Sequence, residues 1–117
     1  MDSCSKRGVS DGELVRGFNE LHYSNGGEPM FDKYNGISIV AAGDGWAEGE
    51  LTAGDGMLNP LGIVHGGVYA AMMDHVAGTA ACSRGSTCRT VNYDLHYLAP
   101  AQPGLLRCRA ESVRMGQ

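Results

Sequence analysis

Asp74 stands out in this 117-residue chain because it is an acid set in a run, Val68 to Ser83, where most other side chains are small or apolar. Its neighbours three and four places away are Ala70, Ala71, Ala77 and Gly78. On a helix these share its face, so the pattern predicts one carboxylate standing in a tight, mostly dry slot. A carboxylate taken from water without partners is costly. An Asp so placed either hydrogen-bonds a nearby backbone group or Tyr hydroxyl, or it does chemistry. Upstream, Gly66 and Gly67 stand where that helix would begin. First-turn N–H groups lack internal partners and lie at the positive end of the helix dipole, and glycine lets a ligand oxygen approach them closely. Such donors suit a carbonyl oxygen that gains negative charge in a transition state. From His65 to Asp74 is about two and a half helical turns, too far for one helix to bring its own amides and its own acid onto one small carbonyl. The spacing therefore implies a site completed by a second copy of the chain.

The elements that must hold these residues follow from pattern. A helix apolar on nearly every side is either wrapped by protein or lies in a membrane. A membrane span needs roughly 18 to 20 apolar residues with few charges; Asp74 and His75 in mid-run behind two glycines point to a helix buried in protein. Ser10-Asp11-Gly12-Glu13 fits a capping box, and Leu14, Val15, Phe18 and Leu21 then give a short amphipathic helix ending near Asn25-Gly26-Gly27. Met30 to Ala42 reads as a strand with Ile37, Ile39 and Ala41 on one side. Gly43-Asp44-Gly45 is a turn, and Trp46 to Thr52 alternates as a second strand, making a hairpin. After the long helix, Arg84-Gly85-Ser86 closes it, Arg89 to Leu98 reads as a third strand, and Leu105 to Met115 as a fourth. Residues 1–9 are expected to form a flexible arm, and 10–117 a single domain.

Asn59, then His65-Gly66-Gly67, then Asp74, resembles the signature of the hotdog-fold acyl-CoA thioesterases of the phenylacetate-degradation (PaaI-like) type. Thr90 to Ala101, with Tyr97-Leu98-Ala99-Pro100 at the strand end, is similar to the next strand of that family. The resemblance implies an α+β hotdog fold, an antiparallel sheet wrapped around one long central helix; the family's pattern has two further strands after the position where this sequence stops, so either a C-terminally incomplete domain, the favoured expectation, or a partner filling that place is expected. It also implies hydrolysis of acyl-CoA thioesters. The Gly66 N–H would polarise the carbonyl, and Asp74 of the opposing subunit would act as general base or nucleophile. Asn59 and His65 would place water and carbonyl or shape the loop, Gly67 would lie against substrate, and Thr90 could hydrogen-bond Asp74 or the water. Arg84 and Arg89 are candidates for the coenzyme A phosphates by charge. The substrate is then an acyl-CoA and coenzyme A is part of it, with no separate cofactor. The assembly is expected to be a homodimer or homotetramer. A non-catalytic acyl-CoA-binding hotdog protein and a hotdog enoyl-CoA hydratase are the alternatives.

Composition narrows the rest. Eighteen glycines fit a chain of short strands and tight turns, and a net charge of −4 with scattered acids and bases gives no nucleic-acid footprint. Lys6 and Arg7 have no apolar run behind them, so no secretory signal is expected. Cys4, Cys82, Cys88 and Cys108 contain no Cys-x-x-Cys pair and read as reduced thiols of a cytoplasmic protein, with no metal site. His22 is read as a surface or boundary residue, His75 and His96 as structural, and no Gly-x-Ser-x-Gly nucleophile turn is present.

Overall fold

The computed structural model describes residues 11–20, 24 and 26–115. The expected arm, the Ser10 half of the capping box and His22 lie outside them. Helix α1 spans Asp11–Glu20 and the four-residue α2 spans Phe31–Tyr34; strands β1 (Ser38–Gly43) and β2 (Trp46–Ala53) follow, then helix α3 (Gly66–Ala81) and strand β3 (Gly104–Glu111). The strands form one antiparallel sheet in the order β1-β2-β3.

The hairpin forms as its alternation predicts. On β2, Ala47, Gly49, Leu51 and Ala53 are buried while Trp46, Glu48 and Glu50 are half-buried. The outer face pairs charges directly across strands: Glu48 opposes Arg109 and Glu50 opposes Arg107 in the register, and both pairs make salt bridges. Opposite charges facing each other stabilise such a pair of strands modestly. Arg109 also lies over the Trp46 ring, 4.6 Å from its centroid. The turn uses Gly45 at φ 79°, a left-handed conformation open to glycine.

Two details of the first strand differ from expectation. Residues 31–34 are helical, so the strand begins at Ser38 rather than near Met30. The register also slips between Ile39 and Ala41, so Ala42 rather than Ala41 joins Ile37 and Ile39 in the core. Such a bulge inserts one extra residue and reverses the inside-outside order beyond it. Asn19 on α1 grips this place with both ends of its amide, donating to the Ile39 carbonyl at 2.7 Å and accepting from the Ile39 N–H at 3.0 Å.

Helix α3 crosses the inner face of the sheet. Met72, Val76, Thr79 and Ala80 are its buried residues, spaced by four, three and one as a single helical face requires. Val76 sits directly over Gly49: a methyl added there would lie 2.5 Å from Val76 Cγ2 and 3.2 Å from the Ser38 carbonyl. Valine has little rotamer freedom in a helix. Gly49→Ala is therefore expected to lower stability by about 1–3 kcal/mol through overpacking, read as a drop in the urea midpoint at unchanged slope.

The other side of α3 departs from the expected wrapped helix. Met73, Asp74 and Ala77 are exposed, because this sheet covers only one face. The predicted strand from Arg89 to Leu98 is also absent as a strand: residues 86–98 have no ladder. Strand assignment needs a neighbour to take the backbone N–H and C=O groups, and none of the described residues provides one. A cavity of about 480 Å³ separates this segment from β3, with Val91, Tyr93 and Leu95 on one wall and Cys108 and Ala110 on the other. The last strand is as expected in place but shorter, ending at Glu111 rather than Met115.

Candidate active site

The loop entering α3 is shaped by Asn59. Its Oδ1 accepts from the Leu61 N–H at 2.9 Å and the Ile63 N–H at 3.4 Å, and its backbone pairs with Ile63 and Gly62. Leu58 bridges Val64, and the His65 N–H donates to the Met57 carbonyl at 2.8 Å. The result is a pinched loop that delivers His65 in extended conformation, φ −60° and ψ 138°, to the N-cap of α3. Asn59 thus shapes the loop through its side-chain oxygen.

His65 caps the helix by accepting the Gly67 N–H at Nδ1, 2.8 Å away. The Gly67 amide is thus engaged by the cap, as first-turn donors commonly are. The Gly66 N–H is different. Among the described residues no acceptor meets it. The Gly66 carbonyl, by contrast, accepts the Tyr97 hydroxyl at 3.0 Å. Beside His65 and Gly67 a cavity of about 270 Å³ opens, with Ile37, Leu51, Met57 and Val68 among its walls.

Two turns further along α3, Asp74 faces the larger cavity. It is exposed rather than held in the tight slot that its small neighbours suggest, because nothing in the described chain covers that face. Thr90 donates its hydroxyl to Asp74 Oδ1 at 2.5 Å, so the segment after the helix fixes the carboxylate's orientation. Arg89, next to Thr90, lies on the same cavity wall. Thr90→Val keeps the shape and removes the donor. Its expected effect is a three- to tenfold fall in kcat, roughly the worth of one hydrogen bond at an exposed site, measured by steady-state thiol release.

The structure does not bring Arg84 to this place. Its guanidinium pairs with Asp44 of the hairpin turn through Nε–Oδ1 and through Nη2–Oδ2 at 3.2 Å. That hydrogen bond holds the Asp44 carboxyl below its usual range and raises Arg84. The contact pins the helix end to the hairpin.

Gly66 and Asp74 are not brought together within one chain. Eight residues of helix separate them by about 12 Å. Burial pushes the Cys108 thiol up, and burial with the neighbouring Cys82 pushes Cys88 up; protonated thiols are poor nucleophiles. Among the described residues there is no cluster of three or more metal-ligating side chains, and no helix is long and apolar enough to cross a membrane.

One buried pair was not legible in the sequence. Asp32 is 5% exposed, and its Oδ2 lies 3.6 Å from His75 Nε2. Asp32-Lys33 in sequence looks like any solvated turn, and no spacing links it to His75, which has the structural place expected for it.

Comparison with known proteins places this geometry in a family. The profile of the thioesterase superfamily matches residues 61–117, which hold the glycine pair, Asp74, Thr90 and Tyr97. A phenylacetic acid degradation-related protein from Ralstonia eutropha JMP134, described as a thioesterase, is 36% identical; the match covers 86% of this chain and 80% of that one, with a TM-score of 0.70. A 1,4-dihydroxy-2-naphthoyl-CoA hydrolase of Listeria monocytogenes is 29% identical over 85 residues, 70% of this chain and 69% of that protein. A relative from Haemophilus influenzae named as an esterase is 28% identical over 85 residues, and the match covers 70% of this chain but only 62% of that protein. With an antiparallel sheet lying against one long helix and the His65-Gly66-Gly67 entry to that helix, the chain belongs to the thioesterase superfamily and has the hotdog fold.

Proposed function

We propose that the protein hydrolyses acyl-CoA thioesters in a site shared by two subunits. The Gly66 N–H of one protomer receives the thioester carbonyl oxygen. Asp74 of the other acts on the carbonyl carbon, either by taking a proton from water so that the hydroxyl adds, or by adding directly to give an anhydride that water then opens. In both cases the carbonyl oxygen gains charge on the Gly66 amide, the carbon–sulfur bond breaks, and coenzyme A leaves as a thiolate that takes up a proton. No separate cofactor is required, since coenzyme A is part of the substrate.

The observation that carries this reading is the Thr90–Asp74 hydrogen bond: an exposed carboxylate on a helix face left uncovered by its own sheet is nonetheless held in one orientation. The separation of about 12 Å between Gly66 and Asp74 along the helix supports a homodimer or homotetramer in which α3 of one copy meets α3 of the next. The Listeria relative's name supports coenzyme A thioesters as the substrate class. Arg89, exposed beside Thr90, is the basic residue assigned to the coenzyme A phosphates.

The test is release of free thiol from a panel of short, long and aromatic acyl-CoAs, run beside water addition to an enoyl-CoA and calorimetric binding of coenzyme A. Thiol release with turnover is expected. Hydration of the enoyl-CoA without thiol release, or binding without either, would overturn the assignment.

A further inference from the structure

The amide proposed to hold the carbonyl begins a helix on two consecutive glycines, Gly66 and Gly67. Glycine loses the most backbone freedom on entering a helix and is among its poorest formers, and the first turn lacks internal partners for its N–H groups. The peptide unit that carries the Gly66 N–H is held at one end, where its His65 carbonyl accepts the Val68 N–H at 2.9 Å, and its direction further depends on the backbone angles of Gly66 that join it to the next unit.

Two side chains meet the peptide unit that joins Gly66 to Gly67, one at each end. Its carbonyl accepts the Tyr97 hydroxyl at 3.0 Å, and its N–H donates to His65 Nδ1 at 2.8 Å. The unit is planar, so holding both groups fixes its plane and limits the rotation available at Gly66. The Gly66 N–H belongs to the preceding unit, one α-carbon away, and has no acceptor among the described residues. Tyr97 reaches this place from the segment after α3, with its ring edge-on to Tyr69, centroids 5.7 Å apart and planes at 72°. Its ring carbons lie within 3.5–3.6 Å of where a Gly66 side chain would start. Tyr97 is 57% exposed, so its hydroxyl has no need of a protein partner for its own sake. Phenylalanine would supply the same ring contacts and none of the clamp.

We propose that Tyr97 is a positioning residue: its hydroxyl, with His65, clamps the Gly66–Gly67 peptide and so aims the Gly66 amide at the substrate carbonyl. This rests on the assignment of that amide made above. It predicts that Tyr97→Phe lowers kcat about five- to tenfold, the kinetic equivalent of one hydrogen bond, with KM and the thermal midpoint unchanged.

A second readout is independent of turnover. An acyl-CoA labelled with ¹³C at the thioester carbonyl, bound to Asp74→Asn protein, is expected to show a carbonyl stretch lowered by the Gly66 hydrogen bond. Adding Tyr97→Phe is expected to return part of that shift. A kcat equal to the parent's, a loss confined to KM or accompanied by a lower thermal midpoint, or an unmoved carbonyl band would each overturn the clamp. The two proposals fail separately: if Asp74→Asn retains full turnover the hydrolytic assignment fails, whereas if Asp74→Asn is inactive and Tyr97→Phe is unimpaired only the clamp fails.

Discussion

Asp74→Asn is expected to fold and assemble like the parent and to lose about 100- to 10,000-fold in kcat against its best acyl-CoA, the usual cost of removing a general base. The substitution is nearly isosteric. Its side-chain oxygen can still accept from Thr90, which donates to Oδ1 at 2.5 Å, and the residue is exposed rather than packed in the core. No cavity, overpacking or orphaned buried group follows from it, and these are the sources of large stability losses. Activity and fold should therefore separate cleanly: circular dichroism and the thermal midpoint unchanged, turnover lost. Parent-like turnover by Asp74→Asn would remove this carboxylate from the chemistry.

The second large effect is expected at Gly66, and the structure supplies an unusually clean substitution for it. Gly66 is the first residue of α3, where proline is favoured because its missing N–H has no helical acceptor and its fixed φ suits the helix. The residue before a proline prefers extended backbone, and His65 already has φ −60° and ψ 138°. A Cβ at position 66 would meet the Tyr97 ring at 3.5 Å, an ordinary contact. Gly66→Pro thus deletes the amide donor with the helix retained. The expected loss in kcat is about 100- to 1,000-fold, as found when one oxyanion donor is removed, with the thermal midpoint unchanged or raised.

The same two variants test where the site lies. Mixed by co-expression, Asp74→Asn and Gly66→Pro chains are each inactive alone. If each site takes its acid from one protomer and its amide from the other, half the mixed dimers' sites carry both native groups, and about a quarter of the parent activity returns for a two-fold assembly. A site contained in one chain gives no recovery at all.

The sequence determined the local parts. Alternation along Trp46 to Thr52 and the Gly43-Asp44-Gly45 turn specified the hairpin, since strand period and turn chemistry act over a few residues. The His65-Gly66-Gly67 entry and the small-residue helix around Asp74 were legible for the same reason: capping and helix start are settled by neighbours in the chain. Pairing of Thr90 with Asp74 was one of two roles expected for that Thr, and the structure has it.

Only the tertiary structure decided what lies against what. A stripe of small residues reads the same whether a helix is covered by its own sheet or by another chain, so the exposure of Asp74 could not be read from Ala70, Ala71, Ala77 and Gly78. A bulge costs one residue and leaves no mark on composition, so the exchange of Ala41 for Ala42 in the core was invisible. The segment from Arg89 to Leu98 has strand propensity but no ladder, because propensity describes one chain segment and a ladder needs two. Arg84 with Asp44, and Asp32 with His75, are each joined across 40 or more positions. Charge-pair and burial energies depend on distance in space, which sequence separation does not fix.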